Sequence, residues 1–426
     1  MEIWVLFGVF TLLLIIGTPV AFCLGIASLA TVLYMQLPPV VVFQQLNSGM
    51  NAFAMMAIPF FIYAGDLMMR GGIADRLIRL AAGLVGHLRG GLGQVNVVAS
   101  TLFGGISGSA IADASAIGGI MIPQMEKRGY AKDYSVNVTV NAAIIALLIP
   151  PSHNMIIYSI AAGGTISVAD LFTAGVVPGL LLAAALMITA YIVAIRRGYP
   201  ADPFPGFRML AYFLVSAVPG ILLIFIIFGG VRSGVFTATE SSCIAVVYAL
   251  LVTLFVYREM NWESFVEATL GAVRTTAMVL LVIGTASAFG WLMAFLQVPQ
   301  ATIELMRAVS DNPIVVLLLI NVILLVLGTF MDMAPMIIIC TPIFLPVIKA
   351  FGIDPVHFGV ILILNAGIGL NTPPVGSVLF VGCAVGKITI GEAMKTIWPF
   401  LGASIAVLLL VTYIPGLSLW LPALFR

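Results

Sequence analysis

The sequence predicts an all-α polytopic membrane protein with two inverted repeats, each containing a re-entrant helical hairpin and a broken helix. Three observations favour this fold class. Of the 426 residues, 62% are hydrophobic and 8% are charged, whereas soluble domains carry about 25% charged residues. The apolar runs are long enough for membrane helices and lack the alternation of a β-barrel. The order of segments in the first half then recurs in the second.

The same composition argues against several other classes of protein. The net charge of +1 comes with no basic cluster for nucleic acid. The four cysteines lie in apolar runs without metal-like or paired spacing, so we interpret them as small core side chains. The first apolar run lacks a preceding basic region, which favours a retained helix over a signal peptide. No catalytic set or cofactor motif is visible, so we expect a non-enzyme without a cofactor.

The first repeat is predicted over residues 1–208 and begins with scaffold segments over 1–91. Apolar helices are expected at about 3–16, 20–36 and 53–69, with a polar loop before the third. The stretch from 70 to 91 alternates charged and apolar residues at helical spacing, which is typical of an amphipathic helix at the membrane interface. A hairpin and a broken helix should follow over 92–165, and a helix over 171–195.

The hairpin is predicted from the small, polar stretch Gly104–Ala116. Its apolar arms, at about 93–103 and 117–125, are each shorter than the ~20 residues of a full span. Irregular backbone survives inside a membrane only where protein or water covers its polar groups. We therefore expect a re-entrant hairpin with its tip near the middle of the bilayer. The helix that starts near residue 134 should break at Ile149–Asn154.

The second repeat is predicted over residues 209–426. Scaffold helices should occupy 209–312, and one of them is expected at about 272–295. The hairpin and broken helix should occupy 313–386, and a last helix 396–420. The break at Leu327–Pro335 matches the first hairpin tip, so that Asp332 is paired with Asp113. The pair Pro373-Pro374 follows Pro150-Pro151 at a similar interval along the chain. Most of the 18 Lys and Arg residues fall in alternate loops, which predicts a periplasmic N-terminus.

Inverted repeats with broken helices are typical of secondary transporters that bind their substrate at the midplane. Half-helix N-termini attract anions, while hydroxyl and carbonyl oxygens coordinate sodium. We predict one sodium site per repeat and no other metal. The first comprises Ser107, Ser109, Asp113, Ile149 and Pro150, and the second Gly328, Thr329, Asp332, Gly369 and Thr372. The substrate should contact Gly108, Pro151, Ser152, His153, Asn154, Met331, Pro373, Val375 and Gly376.

Several of these residues allow a second interpretation. Glycine and serine clusters in membrane helices often serve close packing alone. Asp113 and Asp332 either act in ion binding or cap the second helix of each hairpin. His153 either contacts an anionic substrate, carries a proton, or is a core side chain. A purely structural membrane scaffold and a membrane enzyme are further alternatives, which the matched polar breaks and the missing catalytic set disfavour.

The sequence resembles the large membrane subunit (DctM-type) of tripartite ATP-independent periplasmic, or TRAP, transporters. The resemblance covers nearly the whole chain and is carried by Gly104–Pro123, Pro150-Pro151-Ser152 and Asn371–Gly376. It implies an elevator-type fold of the ion-transporter superfamily in a bacterial or archaeal inner membrane. It also implies sodium-coupled import of an organic anion such as a C4-dicarboxylate, sialic acid or another sugar acid.

The resemblance further implies two protein partners, and one rival function stays open beside it. The partners are a small four-helix membrane subunit and a soluble periplasmic substrate-binding protein. The rival is a stand-alone sodium/dicarboxylate or citrate carrier that needs no binding protein. Dependence of uptake on a soluble partner distinguishes them.

Overall fold

The computed structural model of the chain describes residues 1–373 and 376–425, and this part is helical without a β-strand. The first half forms α1 Glu2–Ile15, α2 Val20–Tyr34, α3 Val40–Met50, α4 Ala57–Arg70, α5 Ile73–Val85, α6 Gly91–Ser107, α7 Ala110–Lys127, α8 Lys132–Ala143, α9 His153–Ala161 and α10 Val168–Arg196. The second half forms α11 Phe207–Arg232, α12 Ala238–Leu251, α13 Trp262–Phe295, α14 Val298–Val309, α15 Pro313–Gly328, α16 Met333–Ala350, α17 Pro355–Gly369, α18 Ser377–Gly386, α19 Ile390–Met394, α20 Trp398–Tyr413 and α21 Gly416–Leu424.

Within the described residues, six helices are long and apolar enough to cross a membrane, and the α20–α21 pair would be a seventh span. Shorter apolar helices, among them α15, α17 and α18, lie where the hairpins and breaks were predicted. Their shortness matters because a single helix needs about 20 residues to span the hydrocarbon core. The predicted all-α polytopic class is therefore confirmed.

Helices α4, α12 and α13 pack together as one part of the structure. The hydroxyls of Tyr63 and Thr269 lie 3.0 Å apart between α4 and α13, and Arg70 forms an ion pair with Glu267. Arg76, on the amphipathic helix α5, donates to Glu259 at 2.8 Å. The first two contacts join α4 to α13, and the third attaches α5 to the segment that precedes α13.

The hairpins and broken helices form a second packed group. The first hairpin, α6–α7, packs against α8, and the second, α15–α16, packs against α17. Asn96 of α6 donates to the Thr139 hydroxyl of α8 at 2.7 Å, and Asn365 of α17 donates to Asn321 of α15 at 2.9 Å. Each hairpin is thus joined to its broken helix by a buried amide, which stabilises polar groups that cannot reach water.

The hairpin tips are shorter than predicted. Only Gly108 and Ser109 separate α6 from α7, whereas Gly104–Ala116 was expected to be irregular. Likewise only residues 329–332 separate α15 from α16, inside the predicted break Leu327–Pro335. Gly104 lies inside α6, and its missing side chain serves close helix packing rather than a break. A Cβ atom at Gly104 would lie 2.6 Å from the Cα atom of Ala146.

Three further boundaries differ from the prediction. Residues 40–50, expected as a loop, form α3, whose start follows two prolines that favour a helix N-terminus. Helix α13 begins at Trp262 rather than 272, because the Asn261 side chain caps it by accepting from the Ser264 N–H at 2.7 Å. The predicted helix 396–420 is bent by 58° between α20 and α21, where Pro415 cannot donate a backbone hydrogen bond.

Candidate substrate and ion site

The first hairpin tip places two hydroxyl groups at a turn in the backbone. Gly108 ends α6 with φ +58°, a conformation that favours glycine. Ser109 is the N-cap of α7, and its side chain accepts from the Ala112 N–H at 3.3 Å. The Ser107 hydroxyl accepts from the Ser109 N–H at 3.5 Å. Because a hydroxyl oxygen has two lone pairs, both serines retain an acceptor position for a cation.

This tip lies directly against the first helix break. A Cβ atom at Gly108 would lie 2.8 Å from the Pro151 carbonyl oxygen and 3.1 Å from the Cα atom of Ser152. The Asn154 side chain donates to the Gly108 carbonyl at 3.1 Å. On the neighbouring turn, a Cβ atom at Gly105 would lie 3.3 Å from the Pro150 carbonyl oxygen. The structure therefore brings the first hairpin tip and the Pro-Pro break together.

Helix α9 begins at His153, directly after the break, with two unpartnered polar side chains. Ser152, the N-cap residue, is fully buried and its side chain does not cap the helix. In the described part of the chain, neither the Ser152 hydroxyl nor the His153 Nδ1 atom has a hydrogen-bond partner. The first N–H groups of a helix also lack intrahelical acceptors and carry a partial positive charge. An anionic group is the natural partner for this terminus.

The second tip and the second break are also in contact. A Cβ atom at Gly369 would lie 2.6 Å from the Cα atom of Gly328. The Thr329 hydroxyl donates to the Val326 carbonyl at 2.7 Å, and the Thr372 hydroxyl donates to Ile368 at 2.9 Å. Both hydroxyls keep lone pairs for a cation.

The remaining predicted residues of the second half lie around this contact. Asp332, the N-cap residue of α16, accepts from the Ser377 hydroxyl at 3.1 Å. Met331 is 3% exposed, Pro373 follows Thr372, and Gly376 is the N-cap residue of α18. Val375 lies outside the described residues.

The two broken helices also contact each other. A Cβ atom at Gly367 of α17 would lie 2.7 Å from the Ile144 side chain, next to the first break. The Asn371 side chain donates to the Val140 carbonyl of α8 at 2.7 Å. These contacts unite both halves of the predicted site.

Asp113 lies inside the first hairpin rather than at its tip. It is fully buried in the first turn of α7, and Ser109, not Asp113, caps that helix. Neither carboxylate oxygen has a hydrogen-bond partner among the described residues. Ser100 of α6 interacts with Asp113 but makes no hydrogen bond of normal geometry, and its own hydroxyl is unpartnered. No sequence signal indicates Ser100, because it lies on α6 and Asp113 on α7, and only the packing of the two helices brings them together.

The contacts of the two halves recur at a nearly constant interval along the chain. In the first half Gly104 lies against Ala146, and in the second half Gly328 lies against Gly369. The Asn154 side chain bonds Gly108, and at almost the same interval the Ser377 side chain bonds Asp332. Each tip-to-break contact of one half therefore has a counterpart in the other.

This interval corrects one predicted correspondence. Asp332 corresponds to Gly108 and not to Asp113, whose own counterpart in the second half is Ile337. The two aspartates therefore occupy different positions, one exposed at a tip and one buried in a hairpin. The repeat boundaries at 208/209 and the ligand sets remain predictions.

An all-α fold in which two hairpin tips each contact a broken helix defines a polytopic membrane transporter. The same fold occurs in the crystal structure of the YdaH transporter of Alcanivorax borkumensis, described as having an unusual topology. The TM-score is 0.61 at 14% sequence identity, over 89% of this chain and 87% of that one. At such low identity the similarity concerns the fold alone.

The chain belongs to the family described as the DctM component of tripartite ATP-independent periplasmic transporters, which matches residues 7–417. It is therefore a TRAP large permease, a multi-pass inner-membrane protein and one component of a tripartite system. The predictions of this family and of a non-enzyme are confirmed.

Three relatives illustrate the range of the family. The chain is 48% identical to the uncharacterized protein YgiK of Salmonella typhimurium, over 99% of this chain and 97% of that one. It is 40% identical to the sialic acid TRAP transporter large permease SiaM of Vibrio cholerae (97% and 96%). It is 37% identical to the C4-dicarboxylate TRAP transporter large permease DctM of Rhodobacter capsulatus (100% and 99%).

Proposed function

We propose that this chain is the transport subunit of a sodium-coupled importer of small organic anions. It works with a small four-helix membrane subunit and a periplasmic substrate-binding protein, and its N-terminus faces the periplasm. The observation that carries the proposal is the pair of tip-to-break contacts, Gly108 with Pro151–Asn154 and Gly328 with Gly369. Each contact gathers hydroxyls, freed carbonyls and a helix N-terminus, which are the groups that bind cations and anions inside a membrane.

Sodium coupling is supported above all by Asp113. A fully buried carboxylate with neither oxygen hydrogen-bonded is costly unless a cation neutralises it. No cluster of three or more His, Cys, Asp or Glu residues occurs in the described chain, so a transition-metal site has no ligands there. Sodium can instead be coordinated by one carboxylate together with hydroxyl and carbonyl oxygens. Ser100, Ser107 and Ser109 lie in the same hairpin as Asp113.

The second sodium site is proposed on Gly328, Thr329, Gly369 and Thr372. Asp332, predicted among its ligands, is left out because it is exposed and bonds Ser377.

The energetics of uptake favour coupling to two sodium ions. One sodium ion gains about 2.3 kcal/mol from 100 mV and about 1.4 kcal/mol from a tenfold gradient, while a monoanion loses about 2.3 kcal/mol. One ion would therefore leave roughly tenfold accumulation, whereas two leave roughly 5 kcal/mol, or several thousandfold.

An elevator movement is proposed because the two packed groups meet at small residues. A Cβ atom at Gly65 of α4 would lie 3.5 Å from the Cα atom of Ser107, at the end of α6. A Cβ atom at Gly105 would lie 3.1 Å from the Ile224 side chain of α11. A smooth interface of this kind suits sliding of the hairpin group, with α5 and α14 as connecting arms.

The direct test is uptake of labelled organic acids into proteoliposomes that contain this chain and its small partner. We expect uptake to need both an inward sodium gradient and the cognate binding protein. Sodium-driven uptake without any binding protein would favour the stand-alone carrier. Uptake indifferent to sodium would contradict the coupling.

Ser109→Ala and Thr329→Ala should each raise the sodium concentration needed for half-maximal uptake. Losing one oxygen ligand removes about 1–2 kcal/mol of binding, equivalent to roughly 5- to 30-fold. Thr372→Ala should resemble Thr329→Ala, since both hydroxyls are assigned to one site. Ser115→Ala, an exposed serine of α7, is the matched control. An unchanged sodium requirement in both site variants would remove these hydroxyls from the coordination shells.

A further inference from the structure

Two half-helix N-termini lie at corresponding positions of the site, and within the described residues they differ in how far their polar groups are satisfied. They are the N-termini of α9 and α18, each following a break. At α9, the Ser152 hydroxyl and the His153 Nδ1 atom are buried without partners in the described chain. Among the described residues, the backbone N–H groups of His153 and Asn154 have no acceptor outside their own helix. This terminus therefore offers two backbone donors and two unpartnered polar side-chain atoms.

At α18 the chain satisfies the corresponding groups itself. The Leu370 carbonyl accepts from the Val378 N–H at 3.2 Å and from the Leu379 N–H at 3.4 Å. The Ser377 hydroxyl donates to Asp332 at 3.1 Å. A carboxylate of the protein thus lies where a second substrate carboxylate would otherwise bind. A second carboxylate at this terminus would be repelled by the like charge of Asp332.

The tips and breaks supply no strongly basic side chain. The tips and breaks, residues 104–113, 146–154, 328–332 and 367–377, contain neither lysine nor arginine. One carboxylate can be held by the N–H groups of the α9 terminus. A second would face Asp332 with no lysine or arginine in these segments to pair with it.

We infer that the site takes a hydroxylated monocarboxylate, such as a sugar acid, in preference to a C4-dicarboxylate; the inference rests on the proposed function. The carboxylate binds the N–H groups of His153 and Asn154. The Ser152 hydroxyl and His153 Nδ1 hydrogen-bond the adjacent hydroxyl groups of the substrate. Each of these buried atoms disfavours a substrate that lacks its partner, because an unpaired buried polar group costs more than a pair gains. Asp332 excludes the second carboxylate.

The experiment measures binding to the purified chain with its small membrane subunit, so that no binding protein selects the ligand. Gluconate, succinate and glucose are titrated in sodium and in potassium buffer, and thermal stabilisation gives the relative affinities. For the wild type we expect gluconate to bind in sodium at least about tenfold more tightly than succinate, with no binding of glucose. Ser152→Ala and His153→Ala should each weaken gluconate about tenfold.

Asp332→Asn is the decisive variant, and Asp311→Asn, at an exposed aspartate before α15, is its control. Asp332→Asn should shift the succinate-to-gluconate affinity ratio about tenfold toward succinate, and the control should leave that ratio at the wild-type value. Equal affinities for both acids in the wild type, or an unmoved ratio in Asp332→Asn, would overturn this inference while leaving sodium-coupled anion transport intact. Failure of every acid to bind in sodium would overturn the proposed function and this inference with it.

Discussion

Replacing Asp113 with asparagine is expected to abolish sodium binding at the first proposed site and so to weaken the response of the protein to sodium. The substitution keeps the shape of the side chain and removes its charge, which is fully buried and unpaired in the described chain. Losing the charged partner of a buried cation typically costs about 2–5 kcal/mol, so sodium affinity should fall by roughly 30-fold or more. The melting temperature should rise with NaCl relative to KCl in the wild type, and it should rise by less in the variant, which keeps only the second proposed site.

The same experiment distinguishes ion binding from a structural role of Asp113. An unpaired buried carboxylate destabilises a fold, so Asp113→Asn in potassium should be at least as stable as the wild type. Asp311→Asn, with an exposed carboxylate, controls for the change in net charge. A sodium-dependent rise in melting temperature as large as that of the wild type would assign Asp113 a different role. Uptake in proteoliposomes should be weaker and should need a higher sodium concentration in parallel.

The sequence was sufficient to predict the architecture around the site. Apolar segments too short to span a membrane, interrupted by Gly104-Gly105 and by Pro150-Pro151, leave few structures that satisfy the backbone in lipid. The hairpins and the broken helices followed from that constraint, whereas the family followed from a resemblance carried by the same segments. The extent of each tip did not, because glycine in a membrane helix is compatible with either a break or close packing. Only the contact between Gly104 and Ala146 distinguishes the two.

The details of the candidate site were harder to predict because they depend on single helical turns. Pairing Asp113 with Asp332 assumed an interval about one helical turn shorter than the interval that relates the backbone contacts of the two halves. A shift of that size is invisible in a weakly repeated sequence, yet it separates a buried carboxylate from an exposed one. Ser100 was missed for a related reason, since its interaction with Asp113 arises only when α6 and α7 pack together.

Gly369→Ala should impair both folding and transport, because the added methyl group has no room. Its Cβ atom would lie 2.6 Å from the Cα atom and 2.8 Å from the carbonyl oxygen of Gly328, both of them backbone atoms. Forcing extra volume into a packed contact costs about 1–3 kcal/mol. It would also separate the second tip from its break, where the second sodium site is proposed. Thermal unfolding in detergent and sodium-driven uptake measure the two effects.

The control for this prediction is another helical glycine of a hairpin, Gly119 of α7, which has open space around its Cα atom. Gly119→Ala should be neutral or stabilising by up to about 1 kcal/mol, since alanine favours a helix over glycine. Gly104→Ala, with its Cβ atom 2.6 Å from the Cα atom of Ala146, should behave like Gly369→Ala if the two hairpins are equivalent. If Gly369→Ala and Gly119→Ala were equally stable and active, the contact between the second tip and its break could not be essential. If only Gly104→Ala were tolerated, the tip-to-break contacts of the two halves would differ in their packing. The two halves already differ in their carboxylates, since Asp113 is buried and Asp332 is exposed.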